Sequence, residues 1–195
     1  MNSPPLALLV RQQSLVRTKK IAFDYREREM VKHPGISQFH SQSELYFAAL
    51  LEADPNVTRY VPHPFTFQSY TPDFWIQYQD RTEVVAELQP QKACCEEKFQ
   101  GIRCHLKSMR VDFQLIANEA VADKTILAKN WLAVFIPLLV SLTAADTHEV
   151  ESEILRRLSS LRTAPFGALT ADQRGRNPAL MLLAMARLLQ QGALW

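Results

Sequence analysis

Four polar side chains are placed so that they can do chemistry together. Glu44 opens an apolar helical stretch, Asp73 precedes an alternating run, and Glu87 and Gln89 lie two apart in the next run. Residues i and i+2 of a strand share a face, so Glu87 and Gln89 project together. If Tyr78 pairs with Thr82 across the intervening turn, Asp73 stands opposite Glu87 on that same side. A helix packed at that edge would add Glu44 as a third oxygen donor. Clustered carboxylates repel one another, and a divalent cation offsets that repulsion. Mg²⁺ is suited to a few carboxylates plus water, and one or two such ions serve phosphodiester hydrolysis by relieving charge and activating water. Each acid also has a plainer reading. Glu44 completes a capping box with Ser41, Asp73 follows Pro72 in a turn, and Glu87 sits on a solvated face or beside an arginine. Glu87 is the hardest to set aside, because its strand is otherwise Val84-Val85-Ala86 and Leu88.

The elements that would position these groups follow from periodicity. Ser41-Gln42-Ser43-Glu44 starts a helix whose apolar stripe is Leu45, Phe47, Ala48, Leu50 and Leu51, and Asp54-Pro55-Asn56 ends it. Val57–Val61 and Phe65–Tyr70 are β-like and are broken by Pro62 and Pro64. Asp73–Tyr78 and, after the polar turn Gln79–Thr82, Val84–Gln89 alternate with period 2 and form a hairpin stopped by Pro90. Residues 93–108 have helical spacing through Phe99, Ile102 and Leu106, and Val111–Ile116 is a short strand. The order predicts an α/β layer arrangement. Beyond about residue 118 the pattern is almost wholly helical: 121–140, 150–161, and 178–191 with Pro178 at its first turn and Gly192 just past its end. The division that results is a basic entry segment over 1–40, a core over 41–117 and a helical region over 118–195.

Charge is unevenly spread around a net of +2. Residues 1–40 carry seven basic against three acidic side chains, 41–93 three against seven, and 94–110 four against two. An acidic centre flanked by basic segments suits a cation site approached by a polyanion. Arg17, Lys19 and Lys20 of the entry segment, with Lys92, Lys98, Arg103 and Lys107, are the candidate phosphate contacts; Lys92 and Lys98 are also candidates for a cation reaching into the site. The three cysteines, Cys94, Cys95 and Cys104, make neither a disulfide framework nor a C-x-x-C zinc site, so reduced thiols and a cytoplasmic location are expected. The longest apolar run, Trp131–Leu142 with Pro137 inside it, is too short to span a bilayer and predicts a buried helix. No glycine-rich phosphate loop is present, which argues against an ATPase. His40 and His63 have no nucleophile at a telling spacing and are expected to be structural.

The strings Ser43-Glu44-Leu45-Tyr46-Phe47, Asp54-Pro55-Asn56 through Val61-Pro62-His63-Pro64-Phe65, Tyr70-Thr71-Pro72-Asp73-Phe74 and Val84-Val85-Ala86-Glu87-Leu88-Gln89-Pro90 resemble the N-terminal domain of TnsA endonucleases. These belong to the PD-(D/E)XK superfamily. The resemblance continues through Glu97-Lys98-Phe99, Ile102-Arg103 and Asp112–Glu119, so it covers residues 36–119. The rest is similar only in layout to the family's second, winged-helix-like domain. The resemblance implies a restriction-endonuclease-like mixed sheet flanked by helices. It implies a Mg²⁺- or Mn²⁺-dependent endonuclease that cuts the non-transferred strand at the 5′ ends of a transposon. Its partners would be double-stranded DNA, a TnsB-like transposase and a TnsC-like ATPase, with action at the bacterial nucleoid and no membrane. It assigns catalysis to Glu44, Asp73, Glu87 and Gln89, and metal binding to Glu44, Asp73, Glu87 and the Leu88 carbonyl. The triplet departs from the family at Gln89, where a lysine is usual. Gln can hydrogen-bond a water but brings no charge. That departure keeps open a non-cleaving assembly module, and a nuclease of defence or repair is the third alternative.

Overall fold

A computed structural model describes residues 11–12, 25–91, 96–161, 165 and 177–194. Arg17, Lys19, Lys20, Lys92, Cys94, Cys95 and most of the expected loop 164–177 lie outside the described residues. The described chain is mixed α/β. A four-stranded sheet has the order β3-β4-β5-β6, built from Val57–Pro62, Phe74–Tyr78, Glu83–Gln89 and Asp112–Ala117. The first three strands are antiparallel and β6 runs parallel to β5. A parallel neighbour requires a crossover, and here it is a 3-10 turn at Glu96–Phe99 followed by helix α2, Gln100–Ser108.

Each face of the sheet is covered by one layer. On one face, Phe74, Ile76 and Ala86 pack against Leu45, Ala48, Ala49 and Leu51 of α1 (Gln42–Ala53). On the other, Trp75, Val61 and Val85 pack against Phe99, Ile102 and Leu106. This is the period-2 pattern expected for a sheet buried on both sides. Trp75 is fully buried, and its indole N–H donates to Glu83 Oε2 over 3.0 Å. The β4–β5 hairpin has the expected register. The Tyr78 amide donates to the Thr82 carbonyl over 3.0 Å, and Phe74 faces Ala86. Arg81 takes the left-handed conformation, φ 67°, that closes such a three-residue loop.

Three expectations are corrected. The entry segment, expected to be an arm or irregular, holds an antiparallel hairpin of Arg26–Glu29 (β1) and Ile36–Phe39 (β2) turning at Gly35, φ 100°. The run 65–70 is not a strand. Phe67 and Tyr70 bridge each other across a tight turn, and among the described residues no strand pairs with this run. The apolar run 131–142 is not uniformly buried. Trp131, Ile136 and Leu139 point inward, while Val134 is exposed. Its first turn, Trp131–Phe135, is π-helical and leads into α5 (Ile136–Ser141). Pro137 lacks an N–H to continue an α-ladder, and the wider turn absorbs that defect.

The remaining helices are α3 (Asn118–Ala122), α4 (Thr125–Asn130), α6 (His148–Leu161) and α7 (Pro178–Gln190). Ala128, Trp131, Ile136, Leu139, Leu183 and Ala186 enter the same core as α1. Asn177 caps α7 through its side chain, Pro178 takes the first turn, and Gly192 closes the end with φ 72°. Arg187 binds the loop after α5, donating to the carbonyls of Thr143 (3.0 Å) and Ala145 (2.8 Å). No helix among the described residues is long and apolar enough to cross a membrane.

The C-terminal end of α1 is fixed by a buried polar knot. The Glu52 carboxylate is inaccessible to solvent. Its Oε1 accepts from the amides of Val31 and Lys32 (3.0 and 2.9 Å) and from the Tyr60 hydroxyl (3.1 Å). The Lys32 ammonium donates to the carbonyls of Leu51 (2.9 Å) and Asp54 (2.6 Å), where a helix end favours a cation. Burial lowers the Lys32 pKa to about 8, against the opposing pull of Glu52 and Asp54. Removing the carboxylate strands two amides and a phenol, and leaves the half-buried Lys32 ammonium without its nearby negative charge. Glu52→Ala is therefore expected to lower stability by about 3 kcal/mol or more in urea unfolding, and Glu52→Gln by less. A loss below about 1 kcal/mol for Glu52→Ala would show that water replaces the knot.

Candidate metal centre

The strand registers bring three residues into one row. β3 pairs Pro62 with Phe74, and β4 pairs Phe74 with Ala86. One step beyond the ends of these ladders lie His63, Asp73 and Glu87. The His63 amide donates to the Asp73 carbonyl over 2.8 Å. The row lies where β3 ends, β4 begins and β5 ends.

Helix α1 delivers Glu44 to the same place, and its capping chemistry explains how. Ser41 Oγ accepts from the Glu44 amide (3.1 Å), and its hydroxyl donates to Glu44 Oε1 (3.0 Å). Glu44 Oε2 accepts from the His40 amide (2.8 Å) and lies 3.3 Å from His63 Nε2. Ser41 thus caps α1, while the Glu44 carboxylate reaches past the Ser41 amide to that of His40 and is also a member of the cluster. Burial works against its ionisation. The His63 imidazole, the His40 amide and the Ser41 hydroxyl outweigh that, and its pKa is held below the ordinary glutamate value. One potential ligand atom each from Glu44, His63 and Asp73 lie within 4.8 Å of one another.

The other expected residues are placed differently. Glu87 is outside that trio, and its Oε2 accepts from the Tyr70 hydroxyl over 2.6 Å. Burial, reinforced by Glu87 and Asp73, pushes the Tyr70 pKa well up, so Tyr70 acts as a neutral donor. Leu88 meets the site through its amide, which donates to Asp73 Oδ2 over 2.7 Å, where the sequence reading looks to its carbonyl. Gln89 is partly buried at the end of β5, level with Ala117 of β6. The donors of two carboxylates and one imidazole fit a divalent cation with oxygen and nitrogen ligands.

The basic candidates spread along the crossover. Lys98 is exposed, its ammonium 5.2 Å from the Phe99 ring, at the end of the crossover that leaves β5. Arg103 lies over Phe113 at 5.3 Å. Arg103, Lys107 and Arg110 line one shallow depression beside Asp112, which pairs with Val84 at the far end of β5. The structure therefore separates them from the carboxylates along the length of the sheet.

His63 and Tyr70 are what the sequence reading misses at this site. A histidine between two prolines shows no ligand spacing. Its position beside Asp73 becomes visible only with the β3–β4 register, which the long 63–73 connection hides. No protein-family model, no curated protein and no solved structure matches this chain.

The Tyr70–Glu87 bond is a partly buried hydrogen bond to an acid. Tyr70→Phe is expected to cost about 1.5 kcal/mol in chemical unfolding at neutral pH. An unchanged stability would mean that Glu87 is satisfied equally well by solvent.

Proposed function

We propose that this chain is a divalent-cation-dependent DNA endonuclease of the TnsA type, which cuts the non-transferred strand at the 5′ ends of a transposon. The observation that carries the reading is the convergence of Glu44 with Asp73 at the end of the sheet where β5 carries Glu87. Support also comes from the element order α1-β3-β4-β5-α2-β6 around a mixed sheet, which suits a restriction-endonuclease-like core.

Glu44 and Asp73 would hold Mg²⁺ or Mn²⁺. When bound, the cation supplies charge relief to the phosphodiester and activation of a water. The chain's own residues do the positioning. The Leu88 amide orients Asp73, and the Ser41–His40 cap orients Glu44. Tyr70 holds Glu87, and the Gln89 carboxamide would orient a water. Lys98 at the near end of the crossover suits the phosphate backbone. Ile126, 77% exposed, and Leu127 project from α4 as apolar surface that a protein partner would cover; the TnsC-like ATPase and the TnsB-like transposase are the partners proposed. The helical region would serve as the family's winged-helix-like second domain.

A second reading is favoured by Gln89 alone. With no lysine in the triplet, the chain would act as a non-cleaving assembly module that keeps the fold.

The test pairs binding with cleavage. Mn²⁺ is titrated into the full chain with duplex DNA present, beside Asp73→Ala, and nicking of supercoiled plasmid is followed in both. The nuclease reading expects one Mn²⁺ bound, with binding and nicking both lost in the folded variant. Nicking retained in Asp73→Ala would overturn the site. Equal Mn²⁺ binding in the two proteins would favour the assembly module.

A further inference from the structure

We infer that His63 is itself a ligand of the cation at this site, and that its imidazole makes the site selective for a first-row transition dication such as Mn²⁺ over Mg²⁺. The inference rests on the reading that Glu44 and Asp73 hold a cation, and it specifies which one.

Three observations carry it. The first is burial without satisfaction. The His63 side chain is 3% exposed, yet neither ring nitrogen makes a well-formed hydrogen bond among the described residues. Nε2 lies 3.3 Å from Glu44 Oε2, close enough to pair with it electrostatically but without a hydrogen bond. A buried imidazole ordinarily spends both nitrogens on partners. His33 in the same chain does place its Nδ1 2.8 Å from Ser37 Oγ.

The second is aim. His63 is fastened to one acid through its backbone, the 2.8 Å bond to the Asp73 carbonyl, while its ring faces the other. Its φ of 46° is the left-handed conformation, which turns the side chain out of the strand's alternation. Pro62 and Pro64 restrict the backbone on either side of it. The His40 ring meets it edge-on at 4.6 Å.

The third is metrical. Two donors on opposite sides of a cation with bonds of about 2.1 Å are about 4.2 Å apart. The three candidate atoms lie within 4.8 Å of one another, so side-chain shifts of a few tenths of an ångström would close the set. Mg²⁺ is held by oxygen and dehydrates reluctantly, whereas an imidazole nitrogen raises affinity for transition dications. The selectivity therefore follows from the donor type.

The plainer possibility is that His63 only pairs with Glu44, and the experiment separates the two. The full-length chain is loaded with MnCl₂ alone, free Mn²⁺ is counted by electron paramagnetic resonance, and Mg²⁺ is measured by displacement. Wild type is compared with His63→Gln and Asp73→Ala, each checked by thermal melting. Wild type is expected to bind one Mn²⁺, and Mg²⁺ to compete only at a concentration about a hundredfold higher. His63→Gln should lose at least about tenfold in Mn²⁺ affinity while Mg²⁺ affinity changes less than about threefold. Electron spin-echo modulation of the bound Mn²⁺ should show nitrogen coupling that moves to the ¹⁵N pattern in ¹⁵N-histidine protein and survives His40→Gln. That arm needs no variant at position 63 to fold. Undiminished Mn²⁺ affinity in His63→Gln beside an impaired Asp73→Ala would overturn the His63 assignment and leave the cation site standing. No nitrogen coupling in wild type would do the same. Equal binding by wild type and Asp73→Ala would overturn both.

Discussion

Two carboxylates brought within 4.8 Å of each other in a largely buried place set the terms for the rest of this structure. At an effective dielectric constant of about 20, that proximity costs about 3 kcal/mol if both are charged. The chain answers with donors. The His40 amide and the Ser41 hydroxyl donate to Glu44, the Leu88 amide donates to Asp73, and the His63 ring stands 3.3 Å from Glu44. Glu44 also stands in the first turn of α1, where the helix dipole favours negative charge. These contributions hold the acids in place, and a cation bound between them would remove what repulsion remains.

The supporting elements are organised around that end of the sheet. Glu44 is useful there only if α1 keeps its height and angle above the strands. The Ser41 cap fixes one end of the helix, and the Glu52–Lys32–Tyr60 knot fixes the other. Between them, Leu45, Ala48 and Ala49 lie against Phe74, Ile76 and Ala86. Small residues at 48 and 49 let the helix approach the sheet closely. α7 adds a further tie where Gln190 Nε2 reaches Glu52 Oε2 at 3.5 Å. The helices after residue 118 thus reach, through one buried carboxylate, the element that carries Glu44.

What could be read from the sequence was what short-range chemistry encodes. The Ser41–Glu44 cap, the β4–β5 register and the Pro178 and Gly192 ends of α7 all depend on residues within a few positions of one another. So the pairing of Phe74 with Ala86, next to Asp73 and Glu87, was legible from the alternation and the turn length. The β1–β2 hairpin was not, because all four residues of β1 are exposed and give no alternation. The segment 65–70 has strand-like composition, but composition cannot supply a missing neighbour. His63 was hidden for a third reason. Its place in the site depends on β3 meeting β4 across the long 63–73 connection. Tyr70 lies inside that same connection, so its bond to Glu87 was equally unreadable. The paired acids were visible from local spacing, whereas the groups that tune them come from long-range register.

The central claim is that Glu44 and Asp73 together hold a divalent cation at the end of the sheet. Anomalous diffraction at the manganese edge from crystals of the full chain grown with MnCl₂ tests it most directly. The account predicts a single strong peak about 2.0–2.3 Å from a carboxylate oxygen of both Glu44 and Asp73. A peak elsewhere with Glu44 still turned to His63, or no peak under conditions that saturate such sites, would contradict it.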